Sequence, residues 1–180
     1  VTIMSVAPKL DTGDMVRKKS IDLEEELTTG EMTEIISKLG AELMISVVND
    51  IEVSNPLNLT KQDESMTTYA RKISKLEARV IWKDVTSEML IRKINAFNPF
   101  PGVFCNFRGK ILKIWRATIE NDFEKGTPGK LYVNPEKNNL FITTADGAIK
   151  IKEIQLEGKR KMTAKEFIIT SKITSEEFLS

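Results

Sequence analysis

Apolar residues in the first third of the chain form two short clusters followed by one long periodic stripe. Val1–Val6 reads as a buried strand, the stretch around Lys9–Asp14 as a turn-rich loop, and Met15–Ile21 as a second short strand. From about Thr29 to Ile51 the positions Met32, Ile35, Ile36, Leu39, Leu43, Val47, Val48 and Ile51 recur at helical spacing, which predicts one long amphipathic helix. Thr28 and Glu31 stand at capping-box spacing: the hydroxyl accepts from the Glu31 amide, and the carboxylate reaches back to the Thr28 amide. Strand, loop, strand and long helix is the order met at the end of an α/β domain.

The pattern then weakens. Glu52 to about Ser74 holds Pro56 and several Asn and Thr residues without periodicity, and reads as a linker over a surface. A second helix is expected between about Thr86 and Ala96, stopped by Asn98-Pro99 because a residue before proline avoids helical dihedrals. Past Pro101 come short strands: Gly102–Phe107 and Ile111–Ile119 about the Arg108-Gly109-Lys110 turn, then Leu131–Val133, Leu140–Thr144 and Ala148–Leu156. About five strands at this spacing indicate a small antiparallel barrel. A last helix starts near Thr163, where Thr163 and Glu166 again have capping-box spacing. The expected class is therefore α+β, with boundaries near 52 and 98: residues 1–52 ending an α/β domain, 53–98 a linker with a helix, and 99–180 the barrel.

Charge sharpens this division. Net charge is only +1, yet residues 1–64 carry 6 Lys/Arg against 13 Asp/Glu, 65–98 carry 7 against 3, and 99–180 carry 14 against 10. A basic rear half beside an acidic front suggests a polyanionic partner for the rear, although ordinary solvation of a surface also explains it. The chain has no histidine, so it cannot supply a histidine acid or base, a catalytic triad or a histidine-ligated metal by itself. One cysteine, Cys105, excludes an internal disulfide and fits a reducing cytoplasm. No apolar run approaches membrane-spanning length, so no membrane partner is expected. Val1 is not expected to be the natural start, since no Met stands there.

Three segments are candidates for chemistry. Leu10-Asp11-Thr12-Gly13-Asp14-Met15 places two carboxylates and a glycine after a strand, where α/β domains put their sites; it also fits a plain turn. Phe97-Asn98-Pro99-Phe100-Pro101-Gly102 is a stiff elbow whose simplest reading is a rigid junction. Gln155 to Met162 carries Lys159, Arg160 and Lys161 between a strand and a helix, where cations can neutralise phosphates or simply face solvent.

In order and spacing, these segments resemble the methionyl-tRNA formyltransferase family. Val1-Thr2-Ile3-Met4 and Leu10 to Met15 resemble its late catalytic-domain signature. Tyr69 to Lys75 and Glu77-Ala78-Arg79 through Trp82 resemble its linker, and Ile94 to Pro101 its elbow. Lys113-Ile114-Trp115, Pro128-Gly129, Asp146-Gly147 and Gln155 through Met162 with Ala164 resemble its C-terminal barrel. Ala7-Pro8 departs from the acidic residue and Gly usual there, and Phe100 stands where Trp is usual.

The resemblance implies the end of a Rossmann-like formyltransferase domain, a linker, and an OB-like barrel with a C-terminal helix. It further implies formyl transfer from 10-formyltetrahydrofolate, without a metal, to the amino group of methionyl initiator tRNA in translation initiation. Asp11 maps onto the Asp of the family's Asn-His-Asp trio, where it would orient the histidine and assist proton transfer through water; the Asn and His lie upstream of the matching segment in the family. Asp11 and Asp14 are the expected contribution to the folate site. Lys159, Arg160 and Lys161, with Lys150 and Lys152 sharing a face of the preceding strand, are the expected tRNA contacts. No DNA partner is implied, and the whole enzyme is expected to be a monomer. Two other classes stay open: a non-catalytic RNA-binding module, and a folate-dependent formyltransferase or hydrolase with another substrate. An Asn-x-His pair upstream of Val1, followed by a Ser-Leu-Leu-Pro-like segment, would decide between catalysis and binding alone.

Overall fold

The computed structural model describes residues 1–23, 26–124, 126–136, 138–175 and 177–180. It divides into two compact units, Val1–Lys72 and Ile73–Ser180.

In the first unit β1 (Thr2–Met4) pairs antiparallel with β2 (Met15–Lys18), Ile3 opposite Arg17. Helix α1 (Thr29–Glu52) begins at Thr28 with both halves of the expected capping box formed. Leu39, Leu43 and Val47, each one turn from the next, are its buried residues. Arg17 of β2 pairs with Asp50 and donates to Ser46 Oγ at 2.7 Å, pinning the helix over the strand. Two expectations are corrected. Val1–Val6 is not a buried strand: Met4 is 39% exposed and Val6 fully so, because two strands and one helix can shield only one side of so thin a layer. The apolar stripe is likewise only partly covered, with Ile35, Ile36, Val48 and Ile51 exposed. The segment read as linker returns to the sheet, where Thr60 and Met15 exchange backbone hydrogen bonds at 2.8 and 2.9 Å.

The second unit holds α2 (Ser87–Ala96), β3 (Val103–Phe107), β4 (Lys110–Glu120), β5 (Leu131–Val133), β6 (Leu140–Thr143), β7 (Ala148–Leu156), β8 (Met162–Thr163) and α3 (Ala164–Ser171). All strand pairs are antiparallel, in the order β3-β4-β7-β6-β5, with β8 also on β7. The chain is thus α+β. The helix placed in the linker packs with the sheet instead: Leu90, Ile91 and Ile94 join Val103, Leu112, Ile114, Ile142, Ile149 and Phe167 in one core. Its N-terminus is fixed from afar, since Asp146 accepts from the Ser87 amide at 2.8 Å and from Thr144 Oγ1 at 2.9 Å. These bonds, the Ser87 amide first, hold the Asp146 carboxyl below the ordinary carboxylate range.

Residues 177–180 complete the sheet. Leu131 N donates to Glu177 O at 2.9 Å and Leu179 N to Gly129 O at 2.8 Å, while Asn106 and Ser180 exchange backbone hydrogen bonds. The tail therefore spans the gap between β5 and β3. Arg108 grips it in a fork, Nε and Nη2 donating to the two Glu177 carboxylate oxygens at 2.6 and 2.7 Å. Arg108 and Gly109 take φ of +48° and +76° in the two-residue β3–β4 turn, as the twist of a tight hairpin requires.

Candidate functional site

The Asp11 loop closes the hairpin of the first unit. Gly13 is irreplaceable on geometric grounds, because a Cβ there would lie 1.8 Å from Ser5 O. Asp11 takes the left-handed conformation at φ +56°, which Asp tolerates better than most residues. Gln62 Nε2 donates to Asp11 O at 2.9 Å and to Gly13 O at 2.7 Å, so one amide clamps the turn from outside. Thr12 Oγ1 donates to Lys9 O at 3.0 Å, and Ser5 N to Asp14 O at 2.9 Å. Asp11 is exposed and Asp14 half-buried, and neither carboxylate has a partner among the described residues. The loop borders a hollow of about 240 Å³ lined by Met4 through Asp11 and Gly13. It presents a carboxylate on a fixed turn, which suits orienting or accepting a proton from a group brought to it. Gln62 was missed from sequence: a single polar residue in an aperiodic stretch leaves no signal.

The basic segment is the β7–β8 turn of the second unit. Gly158 turns the chain at φ +74°, and Lys159 N donates to Leu156 O at 2.9 Å. Gln155 braces the turn from both ends, accepting from Trp115 Nε1 at 2.9 Å and donating to Lys159 O at 2.8 Å. The three cations differ in their surroundings. Arg160 donates to Glu166 at 2.6 Å and to Lys161 O at 3.1 Å. Lys161 lies 3.6 Å from the Glu153 carboxylate and 3.9 Å from the Trp115 ring centre. The Lys159 ammonium has no ion-pair partner among the described residues. Glu166, which also accepts from the Thr163 amide at the start of α3, is held below the usual carboxylate range by that bond first and by Arg160 second.

Lys150 and Lys152 sit two residues apart on β7, so they share a face as expected. Lys152 is exposed, while Lys150 lies 5.9 Å from the Phe141 ring centre. The elbow is seated on the same tryptophan that Lys161 covers. Asn98 Nδ2 donates to Trp115 O at 2.9 Å, Lys113 Nζ to Pro101 O at 3.0 Å, and a Cβ at Gly102 would lie 2.8 Å from the Trp115 ring. Trp115 thus organises both elbow and basic turn. Sequence reasoning placed it in a motif without assigning it this part. The Asp loop belongs to the first unit, and the five candidate cations to the second.

Residues 72–172 match the family described as formyl transferase, C-terminal domain. The chain is 38% identical over 169 residues to a protein of Methylococcus capsulatus named methionyl-tRNA formyltransferase, covering 93% of this chain and 53% of that relative. A protein of the same name from Carboxydothermus hydrogenoformans is 33% identical, covering 93% and 54%. The chain therefore spans about half the length of the curated relatives it matches. Among solved structures, HypX from Aquifex aeolicus superposes with a TM-score of 0.71 at 21% identity, covering 98% of this chain and 31% of that one. WlaRD, a sugar 3N-formyl transferase, superposes at 0.61 and 19% identity, covering 88% and 55%. At these identities the superpositions establish shared fold alone.

Proposed function

The chain belongs to the formyl transferase C-terminal domain family, and from that premise we propose that it is the rear part of a methionyl-tRNA formyltransferase. The observation that carries this reading is the match to enzymes of that name along 93% of the chain. In this reading the first unit is the end of a Rossmann-like catalytic domain and the second an OB-like, tRNA-facing barrel. The reaction moves a formyl group from 10-formyltetrahydrofolate to the amino group of methionyl initiator tRNA.

Asp11 orients a histidine and, through water, helps remove the proton that the attacking amine loses. A carboxylate suits the task because it stabilises an imidazolium and fixes its tautomer. Since this chain has no histidine, that partner must come from outside residues 1–180. The purified 180-residue chain should therefore not formylate methionyl-tRNA, and detectable formylation would overturn the assignment of Asp11 to a trio.

The tRNA lies against the β7–β8 turn and the β7 face of Lys150 and Lys152. Ion pairing makes Lys159 the first phosphate contact, with Arg160 and Lys161 following only as they leave Glu166 and Glu153. A filter-binding salt titration of initiator and elongator tRNA tests this. Replacing Lys159, Arg160 and Lys161 together by Ala should weaken both tRNAs about equally, because phosphate contacts position an RNA without reading its sequence. The log–log salt slope should fall by up to about two to three units if every cation meets a phosphate. Lines superimposable with those of the unmodified chain would reject the assignment.

A further inference from the structure

A cavity of the second unit lies beside the basic turn, at the end of the sheet where α3 stops. The half-buried Leu156 and Met162 provide apolar wall around about 520 Å³, a volume typical of small-ligand pockets, with Phe107 buried at its base under the Arg108 guanidinium. Lys110, Lys159 and Lys172 stand at its rim, from the start of β4, the β7–β8 turn and the end of α3. Each is exposed, and none has an ion-pair partner among the described residues. The fourth cation, Arg108, is already neutralised by Glu177.

A helix C-terminus would ordinarily repel an anion, since its free carbonyls carry partial negative charge. Here Arg108 removes that objection. Its Nη1 donates to Ser171 O at 2.8 Å and its Nη2 to Lys172 O at 3.4 Å, so the two carbonyls nearest the cavity mouth at the end of α3 face a guanidinium. Lys172 then turns the chain in the left-handed conformation at φ +49°. The hollow is accordingly apolar within and cationic around the mouth, and no carboxylate lines it among the described residues.

We propose that this cavity receives one unstacked nucleotide of a bound RNA strand, its phosphate at Lys110, Lys159 and Lys172 and its ring against Leu156 and Met162. Charge and shape argue together. Three unpaired ammonium groups call for an anion, and an apolar interior behind them calls for an anion that carries a ring. A nucleotide supplies both, and its ring contacts are tolerant of base identity because every base has a flat face. The proposal rests on the RNA-binding reading above but adds residues to it. Lys110 and Lys172 lie outside the Gln155–Met162 segment, and Leu156 and Met162 change from packing residues into a wall that touches the ligand.

The test uses the full 180-residue chain and amide chemical-shift titrations with AMP and CMP, the parent nucleosides, inorganic phosphate, and a short single-stranded RNA. Both nucleotides and the RNA should shift residues 107–110, 156–162 and 170–172, and should bind at least tenfold more tightly than nucleoside or phosphate. The Lys110→Ala, Lys172→Ala double variant should weaken nucleotide and RNA binding at least tenfold with its thermal midpoint unchanged. Met162→Gln, at a half-buried position, should weaken nucleotide but not phosphate. Phosphate binding as tightly as AMP, or shifts centred on Lys150 and Lys152, would overturn the proposal. So would a pocket that takes free nucleotide but no RNA, or one that prefers an acidic peptide. Unchanged tRNA affinity in the double variant, with the unmodified chain still binding tRNA, rejects the pocket alone. An unmodified chain that binds no tRNA at any salt concentration rejects the RNA-binding reading itself.

Discussion

Replacing Glu177 by Gln should release the tail that spans β3 and β5, and Cys105 reports it. Glu177 makes two charge-assisted hydrogen bonds to Arg108, at 2.6 and 2.7 Å, and accepts from Thr174 N at 3.0 Å. Its side chain is 20% exposed and that of Arg108 50%, so solvent screens the pair considerably. Charged hydrogen bonds contribute about 1.5–3 kcal/mol and exposed ion pairs below about 1, which places the loss here near 1–2 kcal/mol. Next to Cys105, Asn106 bonds the tail through Ser180. The thiol is fully buried, and burial pushes its pKa up to about 12. It can therefore react with a maleimide only when this edge opens, at a rate set by the opening equilibrium. A loss of 1–2 kcal/mol should raise labelling at pH 8 by about 5–30-fold.

Acid should produce the same loss in the unmodified chain. The Arg108 guanidinium, first among its partners, holds the Glu177 carboxyl below its ordinary range. A depressed folded-state pKa contributes stability above the unfolded value, near 4.3, and loses it as pH falls through the folded value. The difference in thermal midpoint between Glu177→Gln and the unmodified chain should thus be present at neutral pH and shrink below about pH 4. Labelling within twofold of the unmodified rate, or a midpoint difference that persists in acid, would refute the tail closure as described.

Two further substitutions test the local geometry. Gly13→Ala should destabilise the first unit by about 1–3 kcal/mol or more, since backbone must yield to the new methyl; hydrogen exchange should rise in residues 1–72 and not in 73–180. Asp146→Ala removes the acceptor of the Ser87 amide and of Thr144 Oγ1. It should cost about 1–2 kcal/mol in a denaturant titration, and an unchanged midpoint would mean that α2 needs no such cap.

Helices were the most legible part of this fold because their ends are written locally. Thr28 with Glu31 and Thr163 with Glu166 form the boxes their spacing announced, and both helices begin there. Strands β5 and β7 likewise occupy Leu131–Val133 and Ala148–Leu156, where alternation and flanking turns placed them. Non-local features left no comparable trace. Strand β8 is two residues long, too short for a period, and the tail meets its neighbours through isolated backbone bonds. Apolar character at Val1–Val6 signals a preference for burial but does not say what covers it. Hence a strand read as buried lies open in this chain. Asp146-Gly147 announced a turn, but the amide it caps is 59 positions away in sequence.

The candidate site shows the same limit in its charges. Three adjacent cations suggested three phosphate contacts, and Glu153, Glu166 and Trp115 sort them into one unpaired ammonium and two engaged groups. That sorting does not abolish the RNA reading, because the competing forces are small. The Arg160–Glu166 pair has 75% and 41% exposed side chains, and Lys161–Glu153 has 42% and 38%. Pairs this open are screened by solvent and contribute little, so an arriving phosphate can compete for either cation. What they do set is order and orientation. Lys159 is available first, Lys161 stays over the Trp115 ring even if it leaves Glu153, and Arg160 comes away only by loosening its hold on the α3 cap. Contacts made in that sequence would favour a strand entering from the Lys159 side, where the apolar cavity opens.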